Sequence, residues 1–143
     1  MPSRQPIGEF LAALGARTPA PASGAAAALT GAMGAALAEL AARFAGDDAA
    51  VTRASGLVAR LERLADEDVD AYSAFMASRS DESRRRIVEV PEQIAAAADE
   101  AAGIADRLAA ELQTSVAGDA EAAAALSRAA ASVARRLAEL NRG

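Results

Sequence analysis

Apolar and small residues recur at helical spacing along most of the chain, and no stretch alternates as a half-buried strand would. The first such stretch, Ile7–Leu14, predicts a short amphipathic helix ending at Gly15. Thr18-Pro19-Ala20-Pro21-Ala22-Ser23-Gly24 reads as a turn. A long helix over Ala25–Phe44 follows, with Leu29, Met33, Leu37, Leu40 and Phe44 on one face and Gly31, Ala35, Ala38 and Ala42 on the other. Apolar or small all round, it is expected to be buried on several sides. Gly46 stops it, and Asp47 or Asp48 caps a third helix over about Ala49–Ser78. Ser80–Arg86 reads as a loop or short helical turn, and Pro91 as the first turn of a fourth helix reaching about Val116. Its apolar stripe is Ile94, Ala98, Ala101, Ile104 or Ala105, Leu108 and Leu112. Gly118 ends it, and Asp119 caps a fifth helix carrying Leu126, Ala130, Val133, Leu137 and Leu140 at nearly heptad spacing. The pattern predicts one all-α domain over residues 1–143, an up-and-down-like bundle of about five helices without strands.

Composition sharpens this picture. Hydrophobic residues make up 52% of the 143 but aromatics only 3%, so most of the apolar content is alanine. Small side chains let helix backbones approach closely and give a thin, dense core, for which an oligomer is the expected support. The net charge of −5 argues against nucleic acid as a partner. All 15 basic residues are arginine; there is no lysine, histidine or cysteine. Schiff-base, thiolate, histidine-base and Cys/His-zinc chemistry are thereby excluded, leaving acid–base work to Asp, Glu or Tyr. Ala25–Ala42 is apolar, but alanine contributes little to insertion and Glu39 lies within the run, so a core helix is expected rather than a membrane span. Glu9 and Arg17 interrupt any signal-peptide core, and a cytoplasmic location is the expectation.

Some residues break the pattern. Leu57, Leu61, Leu64, Asp68, Tyr72 and Phe75 share one stripe of the third helix, which puts a carboxylate on the core face. There it must be paired, hydrogen-bonded or set in a cavity; otherwise the stripe rotates and Asp68 joins Asp66, Glu67 and Asp70 in solvent. No metal site is expected from that acidic run, which lacks a turn-forming glycine. Asp119 reads as a helix cap. Arg84, Arg85 and Arg86 form either a solvated face or a site for an anionic ligand tail.

In order along the chain, these segments resemble the cyclodeaminase/cyclohydrolase family of folate metabolism. The resemblance is carried by Phe10-Leu11, Pro19-Ala20-Pro21-Ala22-Ser23-Gly24-Ala25 and Gly31-Ala32-Met33-Gly34-Ala35-Ala36-Leu37. It continues through Leu61–Tyr72, Val90-Pro91, Gly118-Asp119 and the terminal Asn141. It implies a helical homodimer with a folate cleft, a tetrahydrofolate derivative as substrate and no separate cofactor. It further implies catalytic roles for Asp68 and Asp119, and substrate contacts from Pro21, Ser23, Gly24, Arg60, Tyr72, Gln113 and Asn141. The chain departs from the family pattern at the glycine-rich turn, here Ala22-Ser23-Gly24-Ala25. Arg60 stands for a lysine, and Gln113 and Leu137 stand for asparagines. Two functions follow. One is an enzyme hydrolysing methenyltetrahydrofolate or cyclising formiminotetrahydrofolate with loss of ammonia. The other is a non-catalytic relative, a ligand-binding or oligomeric helical scaffold.

Overall fold

Residues 1–143 are described by a computed structural model. A single 3-10 turn, Pro2–Arg4, leads into five helices: α1 Ile7–Gly15, α2 Ser23–Ala45, α3 Asp48–Ser78, α4 Asp81–Glu111 and α5 Val116–Arg142. No strand is present. The caps explain several of these limits. Gly46 ends α2 in the left-handed conformation, φ 69°, where a side chain would be strained. Asp47 then caps α3, its side chain accepting a hydrogen bond from the Ala50 amide at 3.0 Å.

α4 begins ten residues earlier than the proline suggests. Ser80 is its N-cap, its Oγ accepting from Ser83 N at 3.1 Å, and Asp81 and Glu82 place negative charge in the first turn. The expected loop is therefore helix, and Pro91 lies in the helix interior, fully buried. α5 also starts earlier than expected. Ser115 precedes its first turn, so Gly118 does not break the chain and Asp119 is not the cap.

α2 packs against α3, α4 and α5, and it does so through its small face. Ala25, Ala28, Ala35, Ala38, Ala41 and Ala42 are fully buried, whereas Met33, Leu40 and Phe44 are exposed. α5 repeats this reversal: Ala120, Ala123, Ala131 and Ala134 are buried, while Val133 and Leu140 face outward. α2 is therefore not buried on all sides, and the heptad-like stripe of α5 is split: Leu29 and Leu37 pack against the core and Ala130 is buried, while Met33, Leu40, Phe44, Val133 and Leu140 face outward. The physical reason is backbone proximity. At Gly34 an added Cβ would lie 2.3 Å from Ser127 Oγ and 3.0 Å from the Ala123 carbonyl oxygen. Larger side chains enter the core from α3 and α4, as Leu57, Leu61, Leu64, Ile94 and Leu108. By length and composition α2 is apolar enough to cross a bilayer, but here its small face is the centre of the bundle.

α4 and α5 run antiparallel and are laced by three ion pairs on their outer edge: Asp106–Arg128, Asp99–Arg135 and Glu92–Arg142. Acids and arginines both recur every seven residues, so successive pairs fall in register. Such exposed pairs are worth at most about 1 kcal/mol each, and they align the helices more than they hold them. α1 touches the bundle through Phe10 and leaves Ile7 and Leu11 exposed. The turn before it is tied to α3, Ser3 donating from N and Oγ to Asp66 at 2.9 and 2.5 Å.

Two glycines test the packing. Gly34→Ala is expected to lower stability by about 1–3 kcal/mol in urea unfolding, because its methyl meets backbone atoms of α5. Gly103→Ala, at an exposed α4 position with open space around it, should raise stability by roughly 0.5–1 kcal/mol.

Candidate active site

Up-and-down order brings four helix ends together: the start of α2, the C-terminal part of α3, the early part of α4 and the end of α5. They enclose a cleft of about 170 Å³ whose lining includes Ser23, Gly24, Asp68, Tyr72, Leu137 and Asn141. Asp68 is at its centre. The α3 stripe does not rotate: Leu57, Leu61 and Leu64 are buried and Asp68 continues their face, half-buried.

Gly24 lets this happen. A Cβ built there would lie 2.1 Å from Asp68 Oδ1, so only glycine permits the carboxylate to rest against the α2 backbone. The N-cap residue of α2, Ala22, has no side chain that could cap its first amides. The Ala25 N–H hydrogen-bonds Asp68 and favours its charged form, but burial outweighs it. Asp68 is pushed up from the ordinary 3.8 to about 6. The folded chain thus holds this proton to a higher pH than the unfolded chain does. Asp68 therefore costs stability progressively as pH rises from about 4 through 6, the reverse of a salt-bridged aspartate.

Asn141 owes its place to Pro91. A proline has no N–H, so the carbonyl four residues back, that of Ile87, loses its helical partner. Asn141 Nδ2 donates to that oxygen at 2.7 Å and so fastens the end of α5 to α4 at the rim of the cleft. One of its two amide N–H donors is committed to this bond, leaving the other and Oδ1 for a ligand.

Of the residues expected at the site, Ser23, Gly24, Asp68, Tyr72 and Asn141 line the one cleft. Pro21, half-buried beyond a cis Ala20–Pro21 bond, does not line it. Arg60 lies about two turns away along α3, exposed, with Nη2 donating to Gln93 Oε1 at 3.3 Å. Asp119 and Gln113 lie at the opposite end of the bundle. Asp119 is roughly 30 Å along α5 from Asn141, so within one chain it does not work beside Asp68. Sequence reasoning missed the wall residues Ile87 and Leu137. Leu137 belonged to the expected heptad-like stripe of the fifth helix, and Ile87 fell between the expected Ser80–Arg86 loop and the helix start expected at Pro91.

Fold and cleft together define an all-helical bundle offering one half-buried carboxyl group and one phenol as its proton-handling groups. The chain belongs to the formiminotransferase-cyclodeaminase family, whose model matches residues 6–143. Its fold is similar to that of formiminotetrahydrofolate cyclodeaminase from Thermotoga maritima. The TM-score is 0.90 at 24% identity, covering 97% of this chain and 79% of that one. No curated protein matches the chain in sequence.

Proposed function

We propose that this chain is a folate-processing enzyme that closes the ring of formiminotetrahydrofolate with loss of ammonia, with Asp68 as its acid–base group. The observation that carries this reading is the Asp68 carboxyl, held at about 6 against Gly24 in a cleft that has no histidine, cysteine or lysine. In the cyclisation, N10 of the folate attacks the formimino carbon attached to N5, giving a tetrahedral carbon bonded to three nitrogens. The N10 proton must leave and the amino group must gain one before it departs as ammonia. One carboxylate between the two nitrogens performs both transfers, taking the proton from N10 and returning it to the leaving nitrogen. A group that titrates near 6 is ionised at neutral pH, yet its conjugate acid is stronger than that of a base titrating near 7. It can therefore do both. Oδ1 of Asn141 and the hydroxyls of Ser23 and Tyr72 are placed to hold the polar edges of the substrate.

Ring opening of methenyltetrahydrofolate is the second enzymatic reading, because it passes through a similar tetrahedral carbon with water in place of the amine. A scaffold without catalysis is weakened by the cost of keeping a carboxylate half-buried in the cleft, which a purely structural role does not require. A homodimer belongs to the same proposal. Met33, Leu40 and Phe44 of α2 and Ile7 and Leu11 of α1 offer a second copy an apolar face. In a cytoplasmic enzyme such a face would otherwise be a liability.

The decisive assay is absorbance at the methenyl band with formiminotetrahydrofolate as substrate. The expected result is turnover that rises as pH passes up through about 6 and then levels off, as the carboxylate ionises. Asp68→Asn should lower it by about 10²–10⁴-fold with the fold intact; undiminished turnover in that variant would remove Asp68 from the chemistry. For the dimer, sedimentation should give twice the chain mass at micromolar concentration and the single mass in a Phe44→Glu variant. A monomeric wild-type chain would refute it.

A further inference from the structure

Gly31 fixes how the helices line up. A Cβ built on it would lie 3.4 Å from both Leu61 methyl carbons of α3 and 3.5 Å from the Ala130 Cβ of α5, so these residues share one level of the bundle. α3 and α5 run in the same direction, and α2 runs against them. Two turns toward the cleft therefore lead from Gly31 to Gly24, from Leu61 to Asp68 and from Ala130 to Leu137. Gly24 does meet Asp68, and Leu137 does line the cleft, as that register requires. One turn further out, Tyr72 and Asn141 form the next level.

α3 and α5 each pack against α2 and α4 and stand diagonally across the bundle. The floor of the cleft is thus a carboxylate on one side and an isobutyl group on the other. The remaining polar side chains, Ser23, Tyr72 and Asn141, stand at the rim, and Tyr72 is the one other titratable group on the wall. A buried water is held where two to four polar groups converge on it. At the floor Asp68 is the single side chain that offers one, and the neighbouring Ala25 amide is already spent on Asp68 itself.

Ring closure needs no water, because the attacking N10 arrives on the substrate. Ring opening does. A water oxygen must bond the methenyl carbon and pass a proton to a base, and the bond from that carbon to N5 must break as N5 takes a proton, giving the 10-formyl product. The two reactions therefore differ in whether the floor can hold a water beside Asp68.

We infer that Leu137 is the specificity-determining residue of this cleft: its side chain keeps water from the floor beside Asp68, so the site closes the ring with loss of ammonia and does not open the methenyl ring with water. The choice between reactions rests on the folate function proposed above; the dry floor does not.

The test compares Leu137→Asn, which puts an amide of similar size on the floor, with Leu137→Met, which keeps it apolar. A carboxyl-carbon NMR titration of Asp68 needs no turnover. Its midpoint should stay near 6 in Leu137→Met and fall toward 3.8 in Leu137→Asn, because an amide donor and an admitted water favour the charged form. A midpoint unmoved by Leu137→Asn would overturn the dry floor. With methenyltetrahydrofolate as substrate, the intact chain and Leu137→Met should hydrolyse it no faster than buffer does, and Leu137→Asn about tenfold faster or more. Hydrolysis by the intact chain that keeps pace with cyclisation, or none gained in Leu137→Asn, would overturn the specificity role. The two proposals can fail separately. A chain that turns over neither folate yet shows the NMR shift loses the enzyme and keeps the dry floor. A chain that cyclises the formimino substrate with an unmoved midpoint does the reverse.

Discussion

The contact between the Gly24 backbone and the Asp68 carboxylate is the interaction on which the site depends, and it exists because α2 is allowed to come unusually close to its neighbours. Alanine and glycine occupy its inner face from Gly24 to Ala42, so the helix axis lies nearer to α3 and α5 than leucine-sized residues would permit. The same closeness that brings Gly34 onto Ser127 brings Gly24 onto Asp68. Packing and chemistry are thus one arrangement. A carboxylate wedged against a helix start loses water, gains one amide and comes to rest at about 6. In solvent it would be an ordinary acid too weakly basic for proton transfer near neutrality.

A second dependence runs through Pro91. Within a helix a proline is normally a defect that removes one hydrogen bond and crowds the preceding turn. Here the released Ile87 carbonyl becomes the anchor for Asn141, and that bond closes the bundle at the functional end. The chain end, the proline and the boundary of the site are therefore parts of one device.

Much of this was legible in the sequence, for identifiable reasons. Asp68 was visible because it interrupts a run of leucines at helical spacing, a pattern that leaves a carboxylate little choice of face. Gly46 and Asp47 were visible because stop and cap chemistry is local. The orientation of α2 and α5 was not, because the rule that large apolar residues face inward fails when alanine dominates both faces. There the close approach of backbones outweighs side-chain transfer, and Met33, Phe44 and Leu140 are left outside. α4 was misjudged because Pro91 is the louder signal, although Ser80 followed by Asp81 and Glu82 is a sound helix start. The ladder of Glu92, Asp99 and Asp106 against Arg128, Arg135 and Arg142 was present as two matching heptads, recognisable only once α4 and α5 are seen as antiparallel neighbours. Asp119 and Asp68 were joined by family resemblance, which carries no distance; the long axis of α5 separates them.

The central claim is that Gly24 keeps Asp68 out of water. Its most direct measurement is a carboxyl-carbon NMR titration of Asp68 in the intact chain and in Gly24→Ala. In the intact chain the resonance should titrate near 6. In the variant the methyl should expel the carboxylate toward solvent, and the midpoint should fall to the ordinary aspartate range of about 4. A midpoint near 4 in the intact chain, or one unmoved by the methyl, would contradict the account.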